Sequence, residues 1–568
     1  MIKLDGQYTI KNMLQECAKL YSNRLALTTY KKPETSITFK ELQLWAKSIA
    51  TFLIDNGVTK GTNVAILAES CPNWGLSYFA INMAGGVAVP ILPNFSKEEV
   101  QKILTHCEAK LIFVNKANVH KVVGTDAIVS KTNQVARYFS ATSNIKIIRI
   151  EDMAFIPAKE MSYLAADGFE NLKGLNIQNK IISTKEESKL IEQCPNEDDI
   201  ASIIYTSGTT GTPKGVMLTN KNLVLNAKVC STPFIKIHPG WKALSILPLS
   251  HVYEFTIGLL LILMNGASVT YLGKAPSVGS LMPALKEVRP QIMLTVPLLI
   301  EKVYRRAIQP QFKEGTKLNK LMQNKLLCKP IHHIIGRKMV KVFGGRMKFF
   351  GIGGSKLDPQ VEEFLAKANF PYALGYGLTE TSPFIAGCGP KDHVIGTLGK
   401  VLDGLDVRLS PEDGEIQIKG PTVMKGYYKM PELTAEAFTQ DGYFRTGDLG
   451  AFEGARLAIK GRSKSLILGA NGENIYPDTI ENLINAQEYV VESLVIPEDK
   501  NLTAMVRLDL QEIQRALGSI NVQEFLEKIK RDINSKLASF SRINNIRLQE
   551  QPFERTPTEK IKRYLYIS

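Results

Sequence analysis

No run of apolar residues in this 568-residue chain reaches the ~20 that a membrane-spanning helix requires. The most apolar stretch, Phe255–Met264, stops at Asn265-Gly266. Cysteine is sparse: there are seven, an odd number, with no Cys-x-x-Cys pair, which argues against a disulfide framework and fits a reducing cytoplasm. The opening residues, Met1-Ile-Lys-Leu-Asp-Gly-Gln, contain no apolar core of signal-peptide length. Internal repeats and low-complexity tracts are missing, as is any Ser-His-Asp constellation. The expectation is a soluble cytoplasmic protein, and apolar and charged contents of 44% and 22% are ordinary for a globular one. Its length predicts at least two domains.

Acidic residues are scarce in one place. Residues 301–348 hold thirteen Lys/Arg against Glu301 and Glu314, so this window carries +11 of the net +15. One concentrated basic patch points to a local anionic partner such as a lipid surface or a polyphosphate ligand, and peripheral association with the inner face of an anionic membrane through 301–348 is one expectation. A solvated basic helix pair is the plainer alternative. The aromatic interleaving of a single-strand groove is lacking, so nucleic acid is not an expected partner.

What is present is concentrated in Tyr205-Thr-Ser-Gly-Thr-Thr-Gly-Thr-Pro-Lys-Gly215, with three glycines, five Ser/Thr hydroxyls and one lysine. Such a loop can turn backbone N–H groups, hydroxyls and an ammonium toward phosphate oxygens. It follows the strand-like Ile200–Ile204 and precedes Thr219–Ala227, which reads as a helix. A Walker A loop is excluded, because that motif needs Ser or Thr after the lysine and Gly215 stands there.

Around this loop the chain alternates helix and strand. Thr38-Phe-Lys-Glu41 is a capping box opening a helix with Leu42, Trp45, Ala46, Ile49, Phe52 and Leu53 on one face. The segments Val64–Leu67, Val87–Leu92 and Leu111–Val114 read as buried strands, with Trp74–Ala84 helical and Ser96-Lys-Glu-Glu99 a second capping box. This predicts an α/β fold with doubly wound sheets. After about residue 400, short alternating segments such as Glu415–Lys419 predict a small β subdomain. Beyond Gly461 the charges balance at fifteen of each sign, and Val522, Phe525, Leu526, Ile529, Ile533 and Leu537 line one helix face. We expect a large domain over 1–461 and a small mobile α+β domain over 462–568.

Four further segments suit a nucleotide site. Gly375-Tyr-Gly-Leu-Thr-Glu380 sets a ring, a hydroxyl and a carboxylate together. Tyr443-Phe-Arg-Thr-Gly-Asp-Leu449 offers an aspartate in a tight turn. Gly461-Arg-Ser-Lys-Ser-Leu-Ile467, followed by Gly469–Ile475 and Glu481, is a strand and glycine loop at the domain junction. Thr556-Pro-Thr-Glu-Lys-Ile-Lys-Arg563 gathers cations near the end. In this order, the five motifs closely resemble the adenylate-forming superfamily of acyl-CoA synthetases, nonribosomal peptide adenylation domains and firefly luciferase. Leu247-Pro-Leu-Ser-His251, Gly344–Phe350 and the cationic ending look most like bacterial long-chain fatty acid–CoA ligases.

The resemblance implies ATP, Mg2+ and CoA, with a fatty acid as substrate. Thr206, Ser207, Gly208, Thr209, Thr210 and Lys214 would hold the β- and γ-phosphates. Gly353, Gly354, Ser355, Tyr376 and Gly377 would frame the adenine, Thr379 would contact the α-phosphate, and Glu380 would position magnesium. Asp448 and Arg462 would bind the ribose, Lys464 would form the hinge, and Lys560 would be the catalytic lysine. His251 would stand beside the acyl pocket, built from Val224–Leu263, Val296–Leu299 and Phe350–Phe384. Two positions depart from the common pattern: Ser465, where many relatives have Asp, and Glu559, where Gly often precedes the lysine. An acyl carrier protein as acceptor, or a nucleotide-binding regulatory protein without turnover, are the alternatives, and a homodimer is compatible with the sequence.

Overall fold

The computed structural model describes residues 1–4, 6–122, 145–156, 182–206, 213–231, 234–312, 316, 321, 324–468, 474–498, 501–518, 520–556 and 561–567. Ser207, Gly208, Thr209, Thr210 and Lys560 lie outside the described residues. The chain forms two compact units. The first comprises Met1–Thr206, Pro213–Leu405 and Lys419–Glu436, and the second includes Asp406–Ile418 and the chain from Ala437 onward.

The first unit is α/β. Helix α1 (Phe39–Asp55) begins at the expected capping box, Thr38 accepting from the Glu41 N–H and Glu41 returning to the Thr38 backbone. Its stripe of Leu42, Ala46, Ile49 and Leu53 is buried, the 3.6-residue periodicity of a core-facing helix. Strand β1 (Asn63–Leu67), α2 (Pro72–Met83), β2 (Val87–Ile91), α3 (Lys97–Cys107), β3 (Leu111–Val114) and β4 (Lys146–Arg149) follow in alternation. Strand β1 lies between β2 and β3, all parallel, and β4 continues parallel to β3. Every residue of β1, β2 and β3 is buried, as expected of a parallel sheet covered on both faces. On the other side of β2, β5 (Ile200–Thr206) runs parallel to it, and β6 (Lys214–Thr219) turns back antiparallel to β5.

Helix α4 (Asn220–Cys230) starts directly after β6, capped by Thr219. The loop at 205–215 therefore joins two antiparallel strands, where the sequence suggested a strand-to-helix connection. The alternation in Val216-Met-Leu218, with the valine and leucine buried and the methionine half-buried, is a period-2 signal too short to separate from loop.

A second sheet of the same unit contains β7 (Lys242–Ser245), β8 (Ser268–Tyr271), β9 (Ile292–Thr295), β10 (Phe349–Ile352), β11 (Tyr372–Gly377) and β12 (Phe384–Gly387). Its order is β8-β7-β9-β10-β11-β12, parallel up to β11 and antiparallel at β11–β12. Between β7 and β8 the expected apolar stretch forms a buried π-helical turn, Glu254–Leu260, followed by Leu261–Met264. Helix α5 (Lys325–Val342) crosses the basic window. The short strand β13 (Gly426–Tyr427) adds antiparallel to β6. Among the described residues no helix is long and apolar enough to cross a membrane, and none of the seven cysteines is in a disulfide.

The second unit holds the antiparallel pair β14 (Phe444–Glu453) and β15 (Arg456–Arg462). It continues through α6 (Pro477–Asn485), β16 (Val490–Glu498), β17 (Asn501–Leu508), α7 (Val522–Asn534) and β18 (Asn545–Leu548). Strand β17 sits between β16 and β18, antiparallel to one and parallel to the other. Leu526, Ile529 and Ile533 of α7 pack with Ile480, Ile484, Val495 and Val506 into one core, matching the α+β expectation.

Candidate active site

The β5–β6 hairpin sets Thr206 opposite Lys214 at the foot of the expected phosphate loop. Strand β13 pairs with β6 so that Tyr427 stands opposite Val216, and the Tyr428 N–H donates to the Gly215 carbonyl at 2.8 Å. This register carries Tyr427 to the lysine: the Lys214 Nζ lies 5.3 Å from the centre of its ring. The Tyr427 hydroxyl in turn donates to Glu380 Oε1 at 3.0 Å. The Met424 N–H holds the Glu380 carbonyl at 2.8 Å, so both ends of the glutamate are anchored from one segment. Lys214 and Glu380, 166 positions apart in sequence, are thus joined through a residue that no sequence motif marked.

The foot of the loop is pinned from beneath. His106 Nδ1 is 2.7 Å from the Tyr205 hydroxyl. Burial and the nearby Lys429 hold that imidazole below its ordinary pKa. Asn63 Nδ2 donates to the Tyr428 hydroxyl at 3.1 Å.

Strand β11 ends in the Gly375–Glu380 motif. Tyr376 is buried, and its backbone pairs with Ala386. Gly377 has a packing reason to lack a side chain, since a Cβ there would lie 1.6 Å from the Pro383 carbonyl oxygen. Thr379 and Glu380, half-buried, form the turn Thr379–Thr381, locked by the Thr381 hydroxyl donating to the Pro383 carbonyl at 2.7 Å. At the end of β10, the Gly353 N–H donates to the Thr295 carbonyl at 3.1 Å, Gly354 adopts φ +91°, and Ser355 is exposed. The Tyr253 ring lies against this strip: a Cβ at Gly353 would meet it at 3.2 Å, and one at Gly351 would come within 3.0 Å of its hydroxyl.

Tyr253 also lines a small, partly open apolar pocket, with Cys230, Phe234, Ile257, Phe384 and Cys388 among its walls. The pocket reaches Gly375, next to Tyr376. The sequence windows 224–263 and 350–384 supply most of its lining, whereas none comes from Val296–Leu299; Val296 instead sits near Gly354. His251, half-buried, bonds through its backbone to Pro248 and Phe255, two residues before Tyr253.

The remaining residues belong to the second unit. Asp448 faces Arg462 across β14 and β15, with Arg462 Nε 3.2 Å from Asp448 Oδ1. Asp448 is buried and Arg462 exposed. Glu415 accepts the Gly447 N–H at 2.8 Å, and the Ser463 hydroxyl donates to the Gly447 carbonyl at 3.1 Å, so this turn is held from both sides. Lys464 is exposed in the short turn Ser463–Ser465. Among the described residues no three His, Cys, Asp or Glu side chains gather as a metal cage. The donor set suits a magnesium carried by phosphates and approached by the single carboxylate of Glu380.

The AMP-binding enzyme family matches residues 14–428, and the AMP-binding enzyme C-terminal domain matches 464–567. The chain belongs to the AMP-binding enzyme family. A curated member, the long-chain-fatty-acid–CoA ligase FadD15 of Mycobacterium bovis, is 30% identical over 84% of this chain and 78% of its own length. The long-chain-fatty-acid–[acyl-carrier-protein] ligase AEE15 of Arabidopsis thaliana is 26% identical over 98% of this chain and 85% of its own. The crystal structure of ATP-bound MatB from Rhodopseudomonas palustris shares the fold, with a TM-score of 0.72, 23% identity and 98% coverage of both chains.

Proposed function

We propose that this AMP-binding enzyme is an ATP-dependent ligase that activates a medium- or long-chain fatty acid as its adenylate and passes the acyl group to CoA. The observation that carries the reading is the apolar pocket reaching Gly375, on the strand that leads into the Lys214–Tyr427–Glu380 cluster. An apolar tail and an anionic head would find their surroundings within one unit. The likeness to FadD15 supports CoA as acceptor; the likeness to AEE15 keeps a carrier protein as the second reading.

A fatty carboxylate is a poor electrophile, and joining its oxygen to the α-phosphorus of ATP supplies a leaving group. Two anions must approach, so the task is electrostatic positioning. No general base is required, because the acid is already ionised at neutral pH. In this reading Lys214 and the loop after Thr206 hold the departing pyrophosphate, and Thr379 bonds the α-phosphate. Glu380 would hold magnesium, which supplies positive charge to the phosphates when bound. Asp448 and Arg462 fix the ribose, and Lys560 bridges the carboxylate and the α-phosphate. The segment 462–568 would then turn at Lys464, withdrawing Lys560 so that the CoA thiol attacks the acyl carbon and AMP leaves.

ATP–pyrophosphate exchange across free acids from acetate to long-chain, with an aromatic acid included, tests this. Exchange should rise with chain length, and Lys560→Ala should abolish it while sparing thioester formation from supplied acyl-adenylate. No exchange with any acid would leave a regulatory protein, and comparing CoA with acyl carrier protein as acceptor separates the two ligases.

The basic window supports a membrane-delivered substrate. Helix α5 has five Lys/Arg and no acid, and it exposes Leu326, Leu327 and Ile334 beside Arg337, Lys338 and Lys341. A helix that exposes both apolar side chains and cations suits docking on an anionic bilayer.

A further inference from the structure

Arg555 and Arg563 flank Lys560 by five and three residues, and both are ion-paired, Arg563 half-buried and Arg555 at the surface. Arg563 Nη2 lies 2.5 Å from Glu481 Oε2 and 2.8 Å from Asp478 Oδ1, while its Nη1 donates to the Val495 carbonyl at 3.3 Å. The other Glu481 oxygen accepts the Val495 N–H at 2.7 Å. Arg555 forms its ion pair with Glu492. Glu492 also accepts from Arg507 at 3.0 Å and from the Phe553 N–H at 3.4 Å. Both glutamates are 8% exposed. They stand on adjoining elements, Glu481 on α6 and Glu492 on β16, joined where Glu481 holds the Val495 backbone.

The backbone closes the same base. Arg555 and Ile561 form an antiparallel bridge, and the Lys562 N–H donates to the Glu554 carbonyl at 2.8 Å. The Glu554 N–H donates to the Tyr566 hydroxyl at 2.9 Å, and the Tyr566 and Phe553 rings meet edge to face at 5.2 Å. All of these groups lie in the second unit.

We propose that Glu481 and Glu492 clamp the arginines on either side of Lys560, making Arg555, Arg563, Glu481 and Glu492 positioning residues for adenylate formation. The inference rests on Lys560 acting in that step. Stability alone is a poor reason for such a cluster, because desolvating two buried charges often cancels their attraction. Uniqueness of geometry is a better one: a catalytic cation must be placed to about half an ångström, and a misplacement of about 1 Å can lower a rate about 100-fold.

The test uses the full-length chain, with pyrophosphate exchange as one readout and thioester formation from synthetic acyl-adenylate and CoA as the other. Arg563→Met and the near-isosteric Glu481→Gln should each lower exchange by roughly 30- to 100-fold, in kcat rather than in the KM for ATP. Thioester formation should stay within about threefold of wild type, and Arg563→Lys should recover part of the exchange. Should Arg563→Met fail to fold, Glu481→Gln and Arg555→Met carry the comparison. Equal loss of both half-reactions, or full exchange in a folded clamp variant, overturns the clamp. Normal exchange in Lys560→Ala would instead overturn the role of Lys560.

Discussion

Tyr427 is the residue at which the site depends most on a contact invisible in the sequence. Gly426-Tyr-Tyr428 matches none of the motifs that marked the nucleotide site, and only the β6–β13 register carries its hydroxyl to Glu380. A hydrogen bond to a carboxylate contributes about 1.5–3 kcal/mol. Tyr427→Phe keeps the ring beside Lys214 and removes only that bond. We expect an adenylation rate at least about tenfold lower, since 1.4 kcal/mol is a factor of ten. The loss should come with a raised Mg2+ requirement in exchange assays and weaker Mn2+–ATP binding by electron paramagnetic resonance. An unchanged metal titration would remove Tyr427 from the site. Glu380, Asp448 and Arg462 could be proposed from sequence because their types and order follow a pattern; Tyr427 could not, because aromatic residues in short edge strands are commonplace.

At the scale of the element, the π-helical turn Glu254–Leu260 shows how tertiary packing overrides a plain apolar reading. Glu254 is 2% exposed. Its carboxyl folds over Gly258, where a Cβ would come within 2.7 Å of it. Burial pushes this carboxyl up to about 8, with the Ser245 hydroxyl pulling weakly the other way. The folded protein therefore holds a proton that the unfolded chain releases near 4.5. Stability is fully present below that value and lost as pH rises toward about 8, by at most about 1.4 kcal/mol per pH unit. Glu254→Gln should flatten the fall in Tm between pH 6 and 8.5 measured by scanning calorimetry, and parallel slopes for both proteins would show the carboxyl already ionised. The β5–β6 hairpin carries the related lesson: Lys214 ends a loop by composition, yet it opens a strand.

At the scale of the whole molecule, charge is the property the sequence displayed most openly. The excess in 301–348 is partly internal, with Arg305 bonded to Asp358 at 3.0 Å, but α5 exposes Arg337, Lys338 and Lys341 together with Leu326, Leu327 and Ile334. Cosedimentation with phosphatidylglycerol vesicles should therefore weaken about tenfold or more when Arg337, Lys338 and Lys341 are all changed to Glu, at about 1 kcal/mol per cation. Binding that persists in this variant, or is equal on neutral phosphatidylcholine, would show that the face has another use.

The sequence by itself determined the alternating elements, the capping boxes, the family and the order of its motifs. These depend on local chemistry: periodicity, caps, glycine and charge are readable residue by residue. Tertiary structure alone decided that the glycine-rich segment 205–215 joins two antiparallel strands, that Tyr427 joins Lys214 to Glu380, and that the arginines beside Lys560 are held by buried glutamates. Each of these depends on strand register or on burial, and partners brought together across dozens of residues leave no local mark in the chain.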